Sequence, residues 1–391
     1  MKKSKLLLLA FLLVIFLVPA LTAAECLLAP SGWSVYENRA LASVPEHSLS
    51  AVLSGKTADG IESFLKDHLV RRNLWLKAYT ALELDVLHSP VVNEVAVTDR
   101  ALLPEMGVSD YDDSALEEQA AAMAGSLAKI RQATEENGGV FLYVGVPEQR
   151  SALRSLYPGW MNSNAAEWDA REAAFSKAMA QAGVPLLLMR PVFDGTGDVL
   201  TYYSAVDHHY NLRGAYLTYE TVCRTLTDMG VPLTAEKMTV TGLDNPYFGT
   251  YSRKLYGLSP IREQLLVGSF ADEIPYERWD NGERTDAPMT ELPATSAEPV
   301  YYTAYMEGDQ GETIVKTGRE GLPKLLIVGD SFTNALETMI WRNFGEMRSL
   351  DYRHYTGESL SDYIKDYQPD VVLVMRDDTS YLSTAGNGGL K

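Results

Sequence analysis

Short apolar runs separated by helical segments extend along most of the chain. The runs at 140–147, 324–329 and 370–376 are continuous and rich in β-branched residues, which is typical of strands buried on both faces of a sheet. Segments with helical spacing lie between them, and several end at glycine. This alternation predicts an α/β fold with a parallel sheet that is covered by helices on both faces.

The same pattern gives approximate bounds for the other elements. The motif Ser114-Ala-Leu-Glu117 is a capping box and predicts the start of a long helix that ends at Asn137. Further strands are predicted over 93–103, where a short pair is expected, and over 185–193 and 349–355. The other predicted helices cover 58–87, 167–182, 213–230, 333–344 and 359–367.

Residues 232–322 interrupt the alternation. They are rich in Pro, Thr, Glu, Asp and Tyr and have no long helical period, so we expect a long irregular insertion. Short strands are predicted within it at 299–305 and 313–316. The predicted organisation is an N-terminal segment that packs on the core, the first part of an α/β domain, the insertion and the second part of the domain, at 25–105, 106–231, 232–322 and 323–391.

The first 24 residues predict export. Three lysines within residues 1–5 precede an uncharged apolar run at 6–24, which is long enough for a signal peptide or a membrane-spanning anchor. Pro19 and the small residues after it are typical of a cleavage region, whereas the length of the run favours an uncleaved anchor. Both alternatives stay open. In either case we expect an extracytoplasmic protein, anchored by residues 6–24 or secreted.

Composition narrows the functional classes. With 391 residues, of which 46% are hydrophobic, the chain can bury a sizeable core. Its 52 acidic and 34 basic residues give a net charge of −18, which disfavours nucleic acid as a partner.

Two cysteines cannot build a disulfide framework. Cys26 and Cys223 could pair outside the cytoplasm, but Cys223 lies in a helical pattern and is expected to be a small buried residue.

The segment 324–340 carries the strongest chemical signal. A buried strand leads into Gly329-Asp330-Ser331, and a helix begins directly afterwards. Ligands of α/β sheets bind beyond the carboxyl ends of the strands, and amides at a helix N-terminus can stabilise an oxyanion. Ser331 is therefore a candidate nucleophile. The alternative is that Asp330 or Ser331 only caps the helix.

A second signal is Asp207-His208-His209, which contains two of the six histidines. A serine nucleophile needs a base, and the base needs a carboxylate that orients it. In an extended segment Asp207 and His209 lie on one side, so they are the candidate orienting acid and base, and His208 is expected to point away. The alternative is a helix start with surface histidines. A metal site is disfavoured, because the sequence shows neither a clustered third ligand nor His-x-x-x-His spacing.

Weaker signals concern the same edge of the sheet. Glu148, Gln149 and Arg150 follow one predicted strand, and Arg376-Asp377-Asp378 closes another, so each could line the site or a solvated loop.

A group of aspartates resembles a calcium loop faintly but lacks its glycine and distal glutamate, so a role at the helix start is favoured. These aspartates are Asp110, Asp112 and Asp113.

With these motifs in view, the chain resembles the DHHW family of exported bacterial proteins. Asp207-His208-His209-Tyr210 is similar to the motif that names the family, with Tyr210 in place of Trp, and residues 302–336 are similar to its serine-containing block. The resemblance covers most of 35–385. That family is in turn similar to the alginate O-acetylation proteins, whose catalytic domains are SGNH-hydrolase-like, with a flavodoxin-like sheet.

The resemblance implies an exported serine acyl-transfer enzyme, either an O-acetyltransferase or an acetylesterase, that acts on a polysaccharide of the cell envelope. It places Ser331 as nucleophile, His209 as base and Asp207 as orienting acid. Asn334, His208, Tyr210 and Arg150 are further candidates for oxyanion or substrate contacts. No cofactor is expected, and a transferase would need a membrane partner that supplies acetyl groups. The alternative is a non-catalytic glycan-binding or assembly protein with the same fold.

Overall fold

The computed structural model describes residues 2–28 and 31–384. Parts of three predicted segments, at residues 1, 29–30 and 385–391, lie outside the described residues. The chain forms two compact units. The first contains Met1–Val95 and Ser252–Pro260, and the second contains Ala96–Tyr251 and Ile261–Lys391.

Helices and strands alternate along the second unit, whereas the first unit is mainly helical. The α-helices are α1 Lys2–Leu28, α2 Leu49–Leu53, α3 Lys56–His68, α4 Arg72–Ala81, α5 Asp113–Glu136, α6 Gln149–Ala152, α7 Ala165–Gln181, α8 Arg190–Asp194, α9 Leu212–Asp228, α10 Thr250–Lys254, α11 Ser331–Ile340 and α12 Leu360–Tyr367. The strands are β1 Trp33–Ser34, β2 Arg39–Ala40, β3 Val91–Val92, β4 Val95–Val97, β5 Leu102–Pro104, β6 Val140–Val146, β7 Leu186–Leu188, β8 Met238–Gly242, β9 Leu266–Phe270, β10 Glu277–Asp280, β11 Glu283–Thr285, β12 Glu312–Lys316, β13 Lys324–Val328, β14 Glu346–Leu350 and β15 Val371–Asp377.

An eight-stranded mixed sheet forms the centre of the second unit, in the order β11-β10-β12-β14-β13-β15-β6-β7. The five strands from β14 to β7 are parallel, and β11, β10 and β12 extend the sheet with antiparallel pairing. Every residue of β15 is buried, and β13 is buried apart from Lys324. The α/β fold with a parallel core is therefore as the sequence predicts.

Both faces of the parallel strands are covered. On one face, α5, α7 and α12 enclose a core that includes Phe141, Tyr143 and Phe175. On the other face, α11 contacts β15 and α9 packs on α11. Because both faces are buried, the strands carry apolar residues continuously rather than at alternate positions.

Several predicted bounds differ from the observed elements. The helix predicted over 58–87 is divided, because Arg71 has a φ of 54° between α3 and α4 and a helix cannot continue through that left-handed geometry. The strand predicted over 185–193 stops at Leu188, since α8 begins at Arg190 with a proline in its first turn. The long helix begins at Asp113 because Asp112, rather than Ser114, is its N-cap.

The insertion is more regular than its composition indicates. It supplies the paired strands β8 and β9 and three antiparallel strands that extend the predicted parallel sheet at one edge. The strand predicted at 299–305 is wrong, because Tyr302–Ala304 forms a 3₁₀ turn. The strand predicted at 313–316 is present as β12.

In the first unit, α1 is long and strongly apolar. Within the described residues, Lys5–Leu28 satisfies the length and composition of a membrane span, a test that a signal sequence also passes. Near the end of α1, the Thr22 hydroxyl accepts the Val70 amide at 3.0 Å, and the Glu25 carboxylate accepts the Arg71 amide at 3.1 Å. These bonds tie the end of α1 to the segment between α3 and α4.

Candidate active site

Ser331 lies where β13 gives way to α11. The Asp330 side chain caps the helix by accepting the Phe332 amide at 3.0 Å. A Cβ on Gly329 would lie 2.1 Å from the Thr333 methyl carbon and 3.0 Å from the Met375 carbonyl oxygen, so this tight turn requires glycine. As the first helical residue, Ser331 has an amide that no intrahelical acceptor satisfies.

Asp207 and His209 lie in a short loop that precedes α9. Tyr203 and Tyr210 form an isolated antiparallel bridge at its base, and Asn211 then caps α9 by accepting two amides. The Asp207 carboxylate accepts the His209 amide at 3.1 Å, which is an Asx turn. The loop is therefore bent rather than extended, and the turn itself brings the acid and the base together.

The structure places the three predicted catalytic residues in one chain of hydrogen bonds. His209 Nε2 lies 2.7 Å from the Ser331 hydroxyl, and His209 Nδ1 lies 2.6 Å from the Asp207 carboxylate. Asp207 and His209 are buried, and Ser331 lines a cleft of about 390 Å³. Asp330 caps α11, as one form of the capping alternative predicts, whereas the Ser331 hydroxyl bonds the imidazole of His209.

Thr250 completes the surroundings of Asp207. Its amide and hydroxyl donate to the second carboxylate oxygen at 2.6 and 3.1 Å. Burial favours a raised pKa for Asp207, but the adjacent imidazoles of His208 and His209 and the bonds from His209 and Thr250 hold the pKa well below its usual range. Asp207 is therefore held as a carboxylate that can stabilise a charged imidazole.

His208 does not point away from the site as expected. Its ring centroid lies 3.8 Å from that of His209, and its Nδ1 lies 3.1 Å from the Thr250 hydroxyl. Burial, followed by the charge of His209, lowers the pKa of His208 to about 3. His208 is thus a neutral member of the cleft wall.

The sequence analysis missed two residues that hold this geometry. Tyr302, in the insertion, stacks on the His209 ring, and its hydroxyl donates to the Ser331 carbonyl oxygen at 3.1 Å. Thr250 gave no signal, since a lone threonine in an irregular segment has no recognisable spacing. Tyr302 belongs to the aromatic block at 301–305, which the sequence analysis assigned to a strand of the insertion and not to the site.

The remaining predicted residues have different surroundings. The Asn334 side chain donates to Asp309 at 2.9 Å, so its amide is already engaged. The Tyr210 hydroxyl is buried and donates to the Phe332 carbonyl, which supports the helix start. Arg150 lines the cleft and pairs with Glu148, a carboxyl whose pKa is raised to about 7 by burial.

Among the described residues, two separate clusters contain side chains of the types that bind metal ions. Asp207, His208 and His209 form one group, and a partly exposed group contains Asp309, Asp351 and His354. In the first group the Asp207 carboxylate and His209 Nδ1 already bond each other. The aspartates of the segment that resembles a calcium loop do not form such a group within the described residues, and Asp112 caps α5.

Cys26 and Cys223 are free thiols, and Cys223 is buried.

Comparisons with known proteins identify the fold that carries this site. Residues 107–278 match the sequence model of the SGNH hydrolase-like domain of the acetyltransferase AlgX. Bacillus cereus PatB1, solved with a sulfonyl adduct, is similar in structure, with a TM-score of 0.61, 20% identity, and coverage of 73% of this chain and 95% of that chain. A DHHW family protein from Eubacterium siraeum has a TM-score of 0.53, 18% identity, and coverage of 75% and 93%. No curated protein sequence matches the chain.

The resemblance to the DHHW and alginate O-acetylation proteins is thereby confirmed, and the chain has an SGNH hydrolase-like fold. At these identities the solved structures establish the fold. The function of this chain follows from its own site.

Proposed function

We propose that the chain is an extracytoplasmic serine acyl-transfer enzyme that moves acetyl groups to or from a polysaccharide. The observation that carries this proposal is the continuous hydrogen-bonded series from Asp207 through His209 to Ser331. A serine hydroxyl is a weak nucleophile unless a base lies within hydrogen-bond reach, and here one does.

In the first half-reaction the Ser331 hydroxyl oxygen attacks the carbonyl carbon of an acetyl ester. His209 Nε2 takes the hydroxyl proton, and Asp207 stabilises the resulting imidazolium. The negative charge on the carbonyl oxygen is met by the amide of Ser331 at the N-terminus of α11. The tetrahedral intermediate collapses, the proton passes from His209 to the leaving oxygen, and an acetyl-serine remains.

The second half-reaction reverses these roles. His209 removes a proton from the acceptor hydroxyl as that oxygen attacks the acetyl-serine, and it then returns the proton to Ser331. Water as the acceptor gives an esterase, and a sugar hydroxyl gives an O-acetyltransferase. We propose the transferase, with a membrane protein that supplies the acetyl groups outside the cytoplasm, because α1 has the length and composition of a membrane span.

The test uses the full chain in detergent. It is incubated with p-nitrophenyl acetate, and separately with a sulfonyl fluoride followed by mass mapping of the labelled residue. We expect turnover and a label on Ser331, and loss of both in Ser331→Ala. Ser380→Ala is the matched control, since Ser380 lines the same cleft, and it should keep the label on Ser331.

A second measurement separates transfer from hydrolysis. Acetylated Ser331 is offered a polysaccharide acceptor in water, and acetyl recovered on the polysaccharide supports the transferase. Binding of a glycan without any turnover or serine labelling would contradict the proposal and favour a non-catalytic binding protein.

A further inference from the structure

Arg376 lies at the carboxyl end of β15, beside the strand that leads to Ser331. In the sheet, β15 pairs with β13 on one side and with β6 on the other. Arg376 and Ser331 line the same cleft. Ligands of such sheets bind beyond the carboxyl ends of the central strands, so Arg376 occupies the place where a substrate would lie.

Two nitrogen atoms of the Arg376 guanidinium lack hydrogen-bond partners. The residue is 2% exposed, and its Nε and Nη1 atoms are buried with no hydrogen-bond partner among the described residues. A guanidinium keeps its positive charge in proteins. Buried polar atoms without hydrogen-bond partners are uncommon in native proteins, and each calls for an explanation such as a bound group or a role in catalysis.

The basic side chains near Arg376 already have partners. Arg150 pairs with Glu148, and Arg353 pairs with Asp309 and Asp351 at 2.9 and 2.5 Å. Neither arginine therefore leaves an unmatched charge in the cleft.

The carboxyl groups near Arg376 form hydrogen bonds with other groups. Asp377 accepts hydrogen bonds from Thr379 and Ser380 in the following turn. Asp330 accepts the Phe332 amide, and burial and the charge of Asp377 raise the pKa of Asp330 to about 8. The neighbouring Tyr143 is a phenol whose pKa is raised by burial, so it supplies no negative charge.

We propose that Arg376 binds a negatively charged group, a carboxylate or a phosphate, on the molecule whose ester or hydroxyl reacts at Ser331. The substrate class is thus an anionic saccharide rather than a neutral one, an inference that rests on the proposed function. A guanidinium fork matches the geometry of both anions. Because the chain has a net charge of −18 and repels anions at long range, a local cation is what lets one enter.

The experiment compares acetyl esters of similar shape and different charge. These probes are 4-acetoxybenzoate, 4-acetoxyphenyl phosphate and the neutral 4-acetoxybenzamide. For the unaltered full chain we expect kcat/KM for an anionic ester to exceed that for the neutral ester by about tenfold to a hundredfold. The larger of the two anionic preferences identifies carboxylate or phosphate as the group recognised.

The variants Arg376→Met and Arg376→Lys test the residue itself. We expect Arg376→Met to abolish the preference and Arg376→Lys to retain part of it, while Arg353→Met, which alters an already paired arginine of the same cleft, keeps it. Equal loss on the anionic and neutral esters would overturn the proposal, because it would assign Arg376 to the oxyanion of the reaction. A preference that survives in Arg376→Met would overturn it as well.

Binding and stability give readouts that do not depend on catalysis. Ser331→Ala should bind 4-acetoxybenzoate or 4-acetoxyphenyl phosphate more tightly than 4-acetoxybenzamide in calorimetry, and adding Arg376→Lys or Arg376→Met should reduce the difference. If the unaltered chain shows no esterase turnover, the proposed function fails while this binding result still decides the role of Arg376. Arg376→Met should keep or raise the thermal midpoint, since it removes buried nitrogen atoms that lack hydrogen-bond partners. Equal binding of charged and neutral probes would contradict the proposal.

Discussion

The imidazole of His209 lies flat against the ring of Tyr302, with centroids 3.7 Å apart and planes 3° from parallel. The Tyr302 hydroxyl also bonds the Ser331 carbonyl oxygen. One side chain from the insertion therefore fixes both the base and the nucleophile. Small displacements of reacting groups have large effects on rate, so this contact has consequences that can be measured.

Replacing Tyr302 should separate its two contacts. Tyr302→Phe keeps the stacked ring and should lower kcat by less than about tenfold. Tyr302→Leu removes the ring contact as well and should lower kcat by about a hundredfold. Steady-state kinetics with p-nitrophenyl acetate checks both variants, with circular dichroism as the control for folding. Equal effects of Phe and Leu would show that stacking does not position His209.

The adjacent histidines provide a matched pair. His209→Gln should lower kcat by about 10⁴-fold or more, and Asp207→Asn by a similar factor, because each breaks the relay to Ser331. His208→Gln should lower kcat by less than about tenfold, since His208 bonds Thr250 rather than Ser331. Comparable losses at the two histidines would contradict the assignment of His209 as the base.

Gly249 packs directly behind Asp207. A Cβ there would lie 2.5 Å from the Val206 carbonyl oxygen and 2.8 Å from the Asp207 Cβ. Gly249→Ala should therefore destabilise the fold by about 1–3 kcal/mol and lower kcat by about tenfold or more. Gly125→Ala is the control, because this helical glycine is exposed and faces open space, and it should stabilise by about 0.5–1 kcal/mol. Urea unfolding and kinetics on both variants give the comparison.

Asp330 should make stability depend on pH. Burial and Asp377 raise its pKa from 3.8 to about 8 in the folded chain. Between these values the folded state keeps a proton that the unfolded state has lost, so the free energy of unfolding falls as pH rises through this window. Asn cannot titrate, so the free energy of unfolding of Asp330→Asn does not fall in this way. Measured relative to the unaltered chain, it should increase from pH 4 to pH 8. Urea unfolding at several pH values tests this, and a constant difference would show that Asp330 does not titrate there.

The apolar helix α1 leads to a prediction about location. The full chain should sediment with membranes and need detergent for release, if residues 6–24 stay in place as an anchor. A version that lacks residues 2–28 should stay in the cytoplasm, because its export signal is gone. Cell fractionation with antibody detection distinguishes these cases. The intact full chain in the cytosolic fraction would contradict export.

The sequence determines the central strands because burial on both faces requires apolar residues at consecutive positions. The runs that become β6, β13 and β15 are apolar at consecutive positions, since neighbours cover both of their faces. The position of Ser331 follows from the same logic, because a buried strand, a glycine turn and a helix start are adjacent in the chain. The grouping of Asp207 with His209 is likewise local, as an Asx turn joins them.

Tertiary structure alone decides what surrounds these groups. Thr250 and Tyr302 reach Asp207 and His209 from an insertion that has no periodic pattern, and its antiparallel strands join the sheet through pairing between distant segments. Likewise, the sequence places Arg376 at the end of a strand but does not show that two of its guanidinium nitrogen atoms lack hydrogen-bond partners. The pattern of apolar residues within a segment indicates how that segment is buried. Contacts between residues that are far apart in the chain form only when the whole fold brings them together.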